Sequence, residues 1–413
     1  MEKSILSCYY ISHMTNTENN FYGLGIAPGL IEVIEKFKFT TPTPIQFKAI
    51  PIGIDGKDII GIAQTGTGKT LAFGIPMVQR LALSAKGKGL IVVPTRELAV
   101  QVNETIMKLS PAVGMKTAVL IGGESMFHQV NDLKSGARIL IATPGRLLDH
   151  IERRTTRIDD VSILILDEAD RMLDMGFMPQ IDKILRMIPK DRQTMLFSAT
   201  MPSSIVSIAS NHMKLPVRTE IAPQGTAADL VSQEVLVVKK ELKATMLLEL
   251  LKKHTGSILL FTRTKRGAHK VAQALRNANH RAAEIHSDRT MAQRKEALAG
   301  FKSGKHRILV ATDIAARGID VTGIEVVINY DLPDDPENYV HRIGRTGRAG
   351  MSGHAISLAT PDQRGDLKNI ENIIRTVIPI SMPDNLPIAK FDAALPAFST
   401  VKKMKGRGRG WRT

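Results

Sequence analysis

Ala63-Gln64-Thr65-Gly66-Thr67-Gly68-Lys69-Thr70 follows directly on the apolar run Ile59-Ile60-Gly61-Ile62. A short apolar strand, a glycine-bearing turn and a Lys-Thr pair opening a helix point successive backbone N–H groups into one concavity. The positive end of the helix adds to the attraction, so the unit accepts a chain of phosphates. Lys69 neutralises the outer phosphates, and the Thr70 hydroxyl is placed to hold Mg²⁺. Ala63 stands where this pattern usually carries its first glycine, so the match is a variant.

Outward from this loop, short apolar runs alternate with amphipathic segments. Leu90 to Val93, Thr117 to Ile121, Arg138 to Ala142, Val161 to Leu166 and Thr194 to Phe197 read as strands, with helical patterns between them. That alternation predicts the α/β class, a parallel sheet covered by helices on both faces. Polar motifs follow each run: Pro94-Thr95-Arg96-Glu97, Gly122-Gly123, Thr143-Pro144-Gly145-Arg146, Asp167-Glu168-Ala169-Asp170 and Ser198-Ala199-Thr200. All fall at carboxyl ends of strands, the edge along which open α/β sheets bind ligands. Asp167 projects there towards the phosphate loop and suits Mg²⁺, and Glu168 is placed to orient and deprotonate an attacking water.

Between Pro216 and Asp229 the periodicity lapses, and the stretch reads as a linker. The ladder resumes at Val235 to Val238, Ser257 to Phe261, Ile308 to Val310, Glu325 to Ile328 and Ala355 to Leu358. Ile139-Leu140-Ile141-Ala142-Thr143 is echoed by Ile308-Leu309-Val310-Ala311-Thr312, which supports a duplication. Two similar domains in tandem create a cleft in which a nucleotide held by one is reached by the other. The expected division is an arm over 1–20, a first domain over 21–220, a linker over 221–230, a second domain over 231–380 and a flexible tail over 381–413.

The chain has 413 residues, 43% of them hydrophobic and 23% charged, enough for two cores. No window approaches the ~18 apolar residues of a membrane-spanning helix. Met1 to Met14 lacks the pattern of a signal peptide, and Met14 is itself a candidate start. Cys8 is the single cysteine, which rules out a disulfide within the chain and suits a reducing compartment, the cytoplasm. A net charge of +16 calls for a polyanionic partner. The tail from Val401 to Thr413 has six basic residues and no acidic one, with Trp411 available for stacking on a base.

Taken with the loop at 63–70, Asp167-Glu168-Ala169-Asp170 resembles the DEAD-box ATP-dependent RNA helicases, nearest in character to the bacterial RhlE-like branch. About ten short motifs stand in family order from Phe21 to about Leu358. The resemblance implies two RecA-like domains that bind ATP with Mg²⁺ and sequence-independent RNA, single-stranded or in short duplexes. It implies that Phe21 and Gln46, the latter in Thr41-Pro42-Thr43-Pro44-Ile45-Gln46, recognise adenine. Thr65, Gly66, Thr67, Gly68, Lys69 and Thr70 hold the phosphates, and Asp320 binds the ribose. Thr70 and Asp167 serve the metal, while Asp170 with Ser198 and Thr200 couples hydrolysis to strand separation. Arg96, Gly123, Thr143, Arg146, Arg263, Thr312 and Asp313 are the implied RNA contacts. In His341-Arg342-Ile343-Gly344-Arg345-Thr346-Gly347-Arg348, Arg345 and Arg348 match the arginine fingers, which join Lys69 and Glu168 as the catalytic set.

The implied activity is RNA-stimulated ATP hydrolysis coupled to domain closure and local, non-processive unwinding, by a catalytic monomer whose protein partners are ribosomal or RNA-decay proteins. An ATP-gated RNA clamp is the alternative, and intact Glu168, Arg345 and Arg348 speak against it. Three positions depart from the family pattern: Met291 replaces the usual Gln three residues before Arg294, Ser287 replaces a Gly after His286, and Lys38 replaces a Gly before Phe39. The first puts a local RNA or interdomain contact in doubt.

Overall fold

A computed structural model describes residues 20–63, 66–221, 231–316, 321, 323–347, 353–381 and 390–391. The first sheet contains β1 (Ile59–Ile62), β2 (Lys88–Val92), β3 (Thr117–Leu120), β4 (Ile139–Ala142), β5 (Val161–Leu166), β6 (Gln193–Ser198) and β7 (Val217–Glu220). Its order is β3-β4-β2-β5-β6-β1-β7, with every pairing parallel. The second contains β8 (Val231–Val237), β9 (Ile258–Phe261), β10 (Ala282–Ile285), β11 (Ile308–Ala311), β12 (Val326–Asn329), β13 (Gly353–Ala359) and β14 (Ile380–Ser381). Its order is β10-β11-β9-β12-β13-β8-β14, again parallel throughout. Raising each strand number of the first order by seven gives the second, so one topology is used twice.

Central strands are covered on both faces, which is why they read as unbroken apolar runs. Within β5, Ile163 and Ile165 enter one cluster while Leu164 and Leu166 enter the other. The helices Lys69–Ala82 and Arg96–Leu109 cover the first face with Phe73, Val78, Val102 and Ile106. Pro144–Glu152, Met178–Met187 and Ser203–His212 cover the second with Leu147, Ile184 and Ile208. Phe73 packs on Phe197 at 5.4 Å between ring centroids. Phe197 has that room because Gly61, its register partner on β1, carries no side chain; a Cβ there would lie 2.5 Å from the ring.

The echoed segments are β4 and β11, which hold the same place in the two sheets. Three strands were not expected from the pattern. β7 lies in the stretch read as a linker; it is an edge strand whose Arg218 and Glu220 face solvent, so only Thr219 is buried. β10 is buried throughout, yet its sequence Ala-Ala-Glu-Ile is weakly apolar because Glu284 is matched by Arg276, Arg289 and His269. β14 is two residues long, too short for any periodicity. Residues 1–19 of the arm, 222–230 of the linker and most of the tail lie outside the described residues, as do Thr65, Asp320 and Arg348.

Candidate active site

The strand order divides the carboxyl edge of the first sheet into two ends. Loops after β5, β6 and β1 gather at one end and loops after β3, β4 and β2 at the other. At the first end, the Ala63 N–H donates to Ser198 O at 3.0 Å, tying the phosphate loop to β6. Gly66 and Gly68 have φ of +87° and +86°, a region that glycine enters without strain and that turns the loop into the helix opened by Lys69. The buried Lys69 ammonium donates to Ala63 O at 3.0 Å and lies 3.9 Å from Asp167 Oδ1. Thr70 follows it on the first turn, half-buried.

Asp167 ends β5 with its carboxyl pushed up to about 6, chiefly by burial, with Lys69 opposing and Glu168 adding to the rise. A buried carboxylate beside one cation, with a hydroxyl-bearing residue, Thr70, directly after that lysine, offers oxygen donors of the kind a hard divalent ion takes. Glu168 has φ of +53°, a left-handed conformation that costs a non-glycine residue on the order of 1–3 kcal/mol and that clusters at functional positions. Its N–H donates to Asp167 Oδ1 at 2.9 Å, and its Oε2 accepts from Arg171 Nη1 at 3.0 Å. Burial raises the Glu168 carboxyl, but the charges of Arg171, Lys69 and Arg345 outweigh it and hold the group below the usual range. The two neighbours thus differ in character, one suited to a cation and one kept ionised.

Asp170 ties this motif to the end of β6. Its Oδ2 accepts from the N–H groups of Ala199 and Thr200, both at 2.9 Å, and from Thr200 Oγ1 at 3.2 Å. Its own N–H donates to Ser198 Oγ at 3.2 Å. The three residues expected to couple therefore form one hydrogen-bonded unit.

Gln46 is committed within the protein at both ends of its amide. Its Oε1 accepts from the Thr43 N–H at 2.9 Å and its Nε2 donates to Gly68 O at 3.0 Å, so the Pro-Thr-Pro turn is fastened to the phosphate loop. Phe21 is 3% exposed in the first-domain core, whereas Tyr22 beside it is 63% exposed. A Cβ on Gly68 would run into the Gln46 amide. Gly68→Ala should therefore detach Gln46 and strain the loop by roughly 1–2 kcal/mol, weakening ADP binding by about tenfold. An unchanged Kd in a fluorescent-nucleotide titration would contradict this.

At the other end of the edge, Arg96 opens the helix after β2 and lies against Gly122 and Gly123 after β3. Thr143 caps the helix after β4, and Arg146 on that helix donates to Glu124 O at 3.4 Å. These four residues are thus brought to one place. On the second sheet, Arg263 follows β9 and is half-engaged by Asp334 at 3.1 Å, while Thr312 and Asp313 follow β11. Asp313 receives Arg342 Nε at 2.5 Å and Nη2 at 2.7 Å, a bidentate pair inside its own domain. Its carboxylate therefore orients Arg342, which also lies 5.1 Å over the Phe261 ring.

Arg345 follows the helix Pro336–Ile343, buried, with Nε donating to His341 O at 3.3 Å. It lines a small cleft together with Arg171 of the first domain and Arg342. Elsewhere the domains meet through Arg294 and Glu97 at 2.9 Å, both nearly buried, and Lys295 and Glu124 at 3.5 Å. Met291 enters the first domain's apolar cluster although it opens a helix of the second domain. The residue that departs from the family pattern is thus an interdomain packing residue.

Arg171, Arg342 and Glu97 were not singled out from the sequence. Arg171 was within reach, because residues three apart on a helix share a face and Glu168 caps that helix. The partners of Arg342 and Glu97 are distant in sequence, so spacing carries no signal for them.

Family models described as DEAD/DEAH box helicase and as helicase conserved C-terminal domain match residues 43–208 and 242–350. ATP-dependent rRNA helicase RRP3 of Debaryomyces hansenii is 44% identical over 363 residues, which cover 87% of this chain and 76% of that protein. DEAD-box ATP-dependent RNA helicase CshA of Bacillus subtilis is 43% identical over 353 residues, 85% of this chain and 72% of its own. The solved structure of Saccharomyces cerevisiae Dbp5 bound to RNA and ADP BeF3 has a TM-score of 0.80 at 31% identity, covering 89% of this chain and 97% of that one. DEAD-box helicase Mss116 bound to ssRNA and UDP-BeF gives 0.81 at 28% identity, with 87% and 79% covered. These relatives do not specify a branch.

Proposed function

The chain belongs to the DEAD-box family of ATP-dependent RNA helicases, and from that premise we propose that it closes its domains over ATP and RNA to prise short duplexes apart locally. It is an ATP-dependent RNA helicase and RNA-stimulated ATPase on two tandem RecA-like domains. The observation that carries the mechanism is convergence: Lys69, Asp167 and Glu168 come from the first sheet and Arg345 from the second, close enough for its charge to bear on Glu168.

Lys69 and the loop Thr65 to Thr70 bind the phosphates, Glu168 takes a proton from the attacking water, and Arg345 with Arg348 reaches the γ-phosphate. Mg²⁺, for which Thr70 and Asp167 are the oxygen donors, would neutralise charge growing on the phosphoryl group. Phe21 and Gln46 are the proposed adenine pair, Gln46 acting through an amide already tied to Gly68, and Asp320 holds the ribose. Arg96, Gly123, Thr143, Arg146, Arg263 and Thr312 face the RNA backbone, and Asp313 acts there through Arg342. The functional units are 21–220 and 231–380, in a cytoplasmic protein, monomeric in its catalytic unit, with ribosomal or RNA-decay proteins as partners. No helix among the described residues is long and apolar enough to cross a membrane.

ATP turnover of the full chain with and without RNA, alongside displacement of a labelled short duplex, tests this reading. Turnover indifferent to RNA would overturn it. The coupling unit has its own test: Ser198→Ala with Thr200→Ala removes two hydroxyls that bond Asp170. The Thr200 hydroxyl bonds the charged carboxylate, worth roughly 1.5–3 kcal/mol, and the Ser198 hydroxyl accepts from the Asp170 N–H, worth roughly 0.5–1.5 kcal/mol, together enough to reduce strand displacement by more than about tenfold while RNA-stimulated turnover is kept. Equal loss of both activities would make the unit structural instead.

A further inference from the structure

Because one topology is used twice, the second sheet has an end equivalent to the phosphate end of the first. β8, β12 and β13 stand where β1, β5 and β6 stand. The chemistry repeats there as well. Lys69 is the first residue of the helix after β1 and reaches Asp167 beyond β5; Lys243 is the first residue of the helix Lys243–Lys253 after β8 and reaches Asp331 beyond β12. Lys243 is 4% exposed, and its Nζ donates to Tyr330 O at 2.8 Å and to Asp331 Oδ1 at 3.3 Å. A cavity of ≈ 570 Å³ opens over this pair, within the usual size range of ligand sites.

We infer that this cavity is a second phosphate site, one that binds the diphosphate of a free nucleotide or pyrophosphate without hydrolysing it. Four cationic residues line it, Lys239, Lys240, Lys243 and Arg263, against three acidic ones, Glu241, Asp331 and Asp362. Asp331 is already matched by Lys243 and by the Arg263 N–H at 3.1 Å, which leaves the exposed Lys239 and Lys240 on the rim to meet an anion. Residues 238–242 contain no glycine, so the loop cannot form the backbone cradle of the first site and side chains supply the charge. Where Glu168 follows Asp167, Leu332 follows Asp331 and is fully buried, so the site lacks the counterpart of the residue assigned to water in the first.

Equilibrium dialysis of the full chain against labelled ADP and, separately, pyrophosphate tests this. Wild type should bind two ADP per chain, one tightly and one weakly. Lys69→Ala should keep only the weak site, and pyrophosphate should occupy it as well as ADP does. Lys239→Glu with Lys240→Glu should lower weak-site affinity by about tenfold or more and leave RNA-stimulated turnover unchanged. Both lysines are exposed, so the variant should fold. The inference is overturned if Lys69→Ala leaves neither ligand bound, or if the weak site survives the double charge reversal.

Discussion

Replacing Arg345 with alanine is expected to lower kcat by about 10³-fold, about 4 kcal/mol in the barrier, with nucleotide-free RNA affinity nearly unchanged. Arg345 comes from the second domain and lines one cleft with the first domain's Arg171, which donates to Glu168, and its charge helps to keep that proposed water-activating residue ionised. The side chain is buried against its own helix end, so thermal unfolding of the variant and an Arg345→Lys companion are needed beside the kinetics. Lysine retains the charge and loses the planar fork; it should recover folding but only part of the rate. Surviving turnover with collapsed RNA binding would make Arg345 a backbone contact.

Lys69→Ala and Glu168→Gln should fail in different ways. Among the described residues Lys69 is the cation that chiefly opposes the burial of Asp167, so its loss removes the proposed phosphate contact and also favours the protonated, metal-refusing form of that carboxyl. Nucleotide binding at the first site should disappear. Glu168→Gln keeps an acceptor for Arg171 and lacks the proton-accepting charge, so ATP and RNA should bind and remain trapped in a closed complex. Turnover should fall by roughly 10²–10⁴-fold. Unaltered turnover in the glutamine variant would remove Glu168 from the mechanism.

Motifs carried most of the site because each sits at the carboxyl end of a strand, where sequence order and spatial order coincide. Val161 to Leu166 predicted β5 to the residue because a strand buried almost throughout is bounded sharply by Asp160 and Asp167. β7 and β10 were not legible for the opposite reason: one alternates at an edge, and the other holds a glutamate whose partners come from elsewhere in the chain. Internal engagements were equally hidden. Gln46 bound to Gly68 and Asp313 clasped by Arg342 are tertiary facts that a motif read for ligands assigns to the ligand. Met291 was legible only as a departure, and its packing across the interface appears once the fold is known.

That interface also sets how readily the protein changes shape. One buried methionine supplies roughly 1.5–3 kcal/mol, the nearly buried Arg294 and Glu97 pair gives little net, and the Lys295 and Glu124 pair is worth under about 1 kcal/mol. A two-state equilibrium is thrown from 1:99 to 99:1 by about 5.5 kcal/mol. Among the described residues these contacts sum to less than that span, so a phosphate chain arriving or departing can reverse the populations. Enlarging the apolar contact at Met291 would give a molecule that shuts more firmly and cycles more slowly, with product release rather than bond cleavage as the slow event.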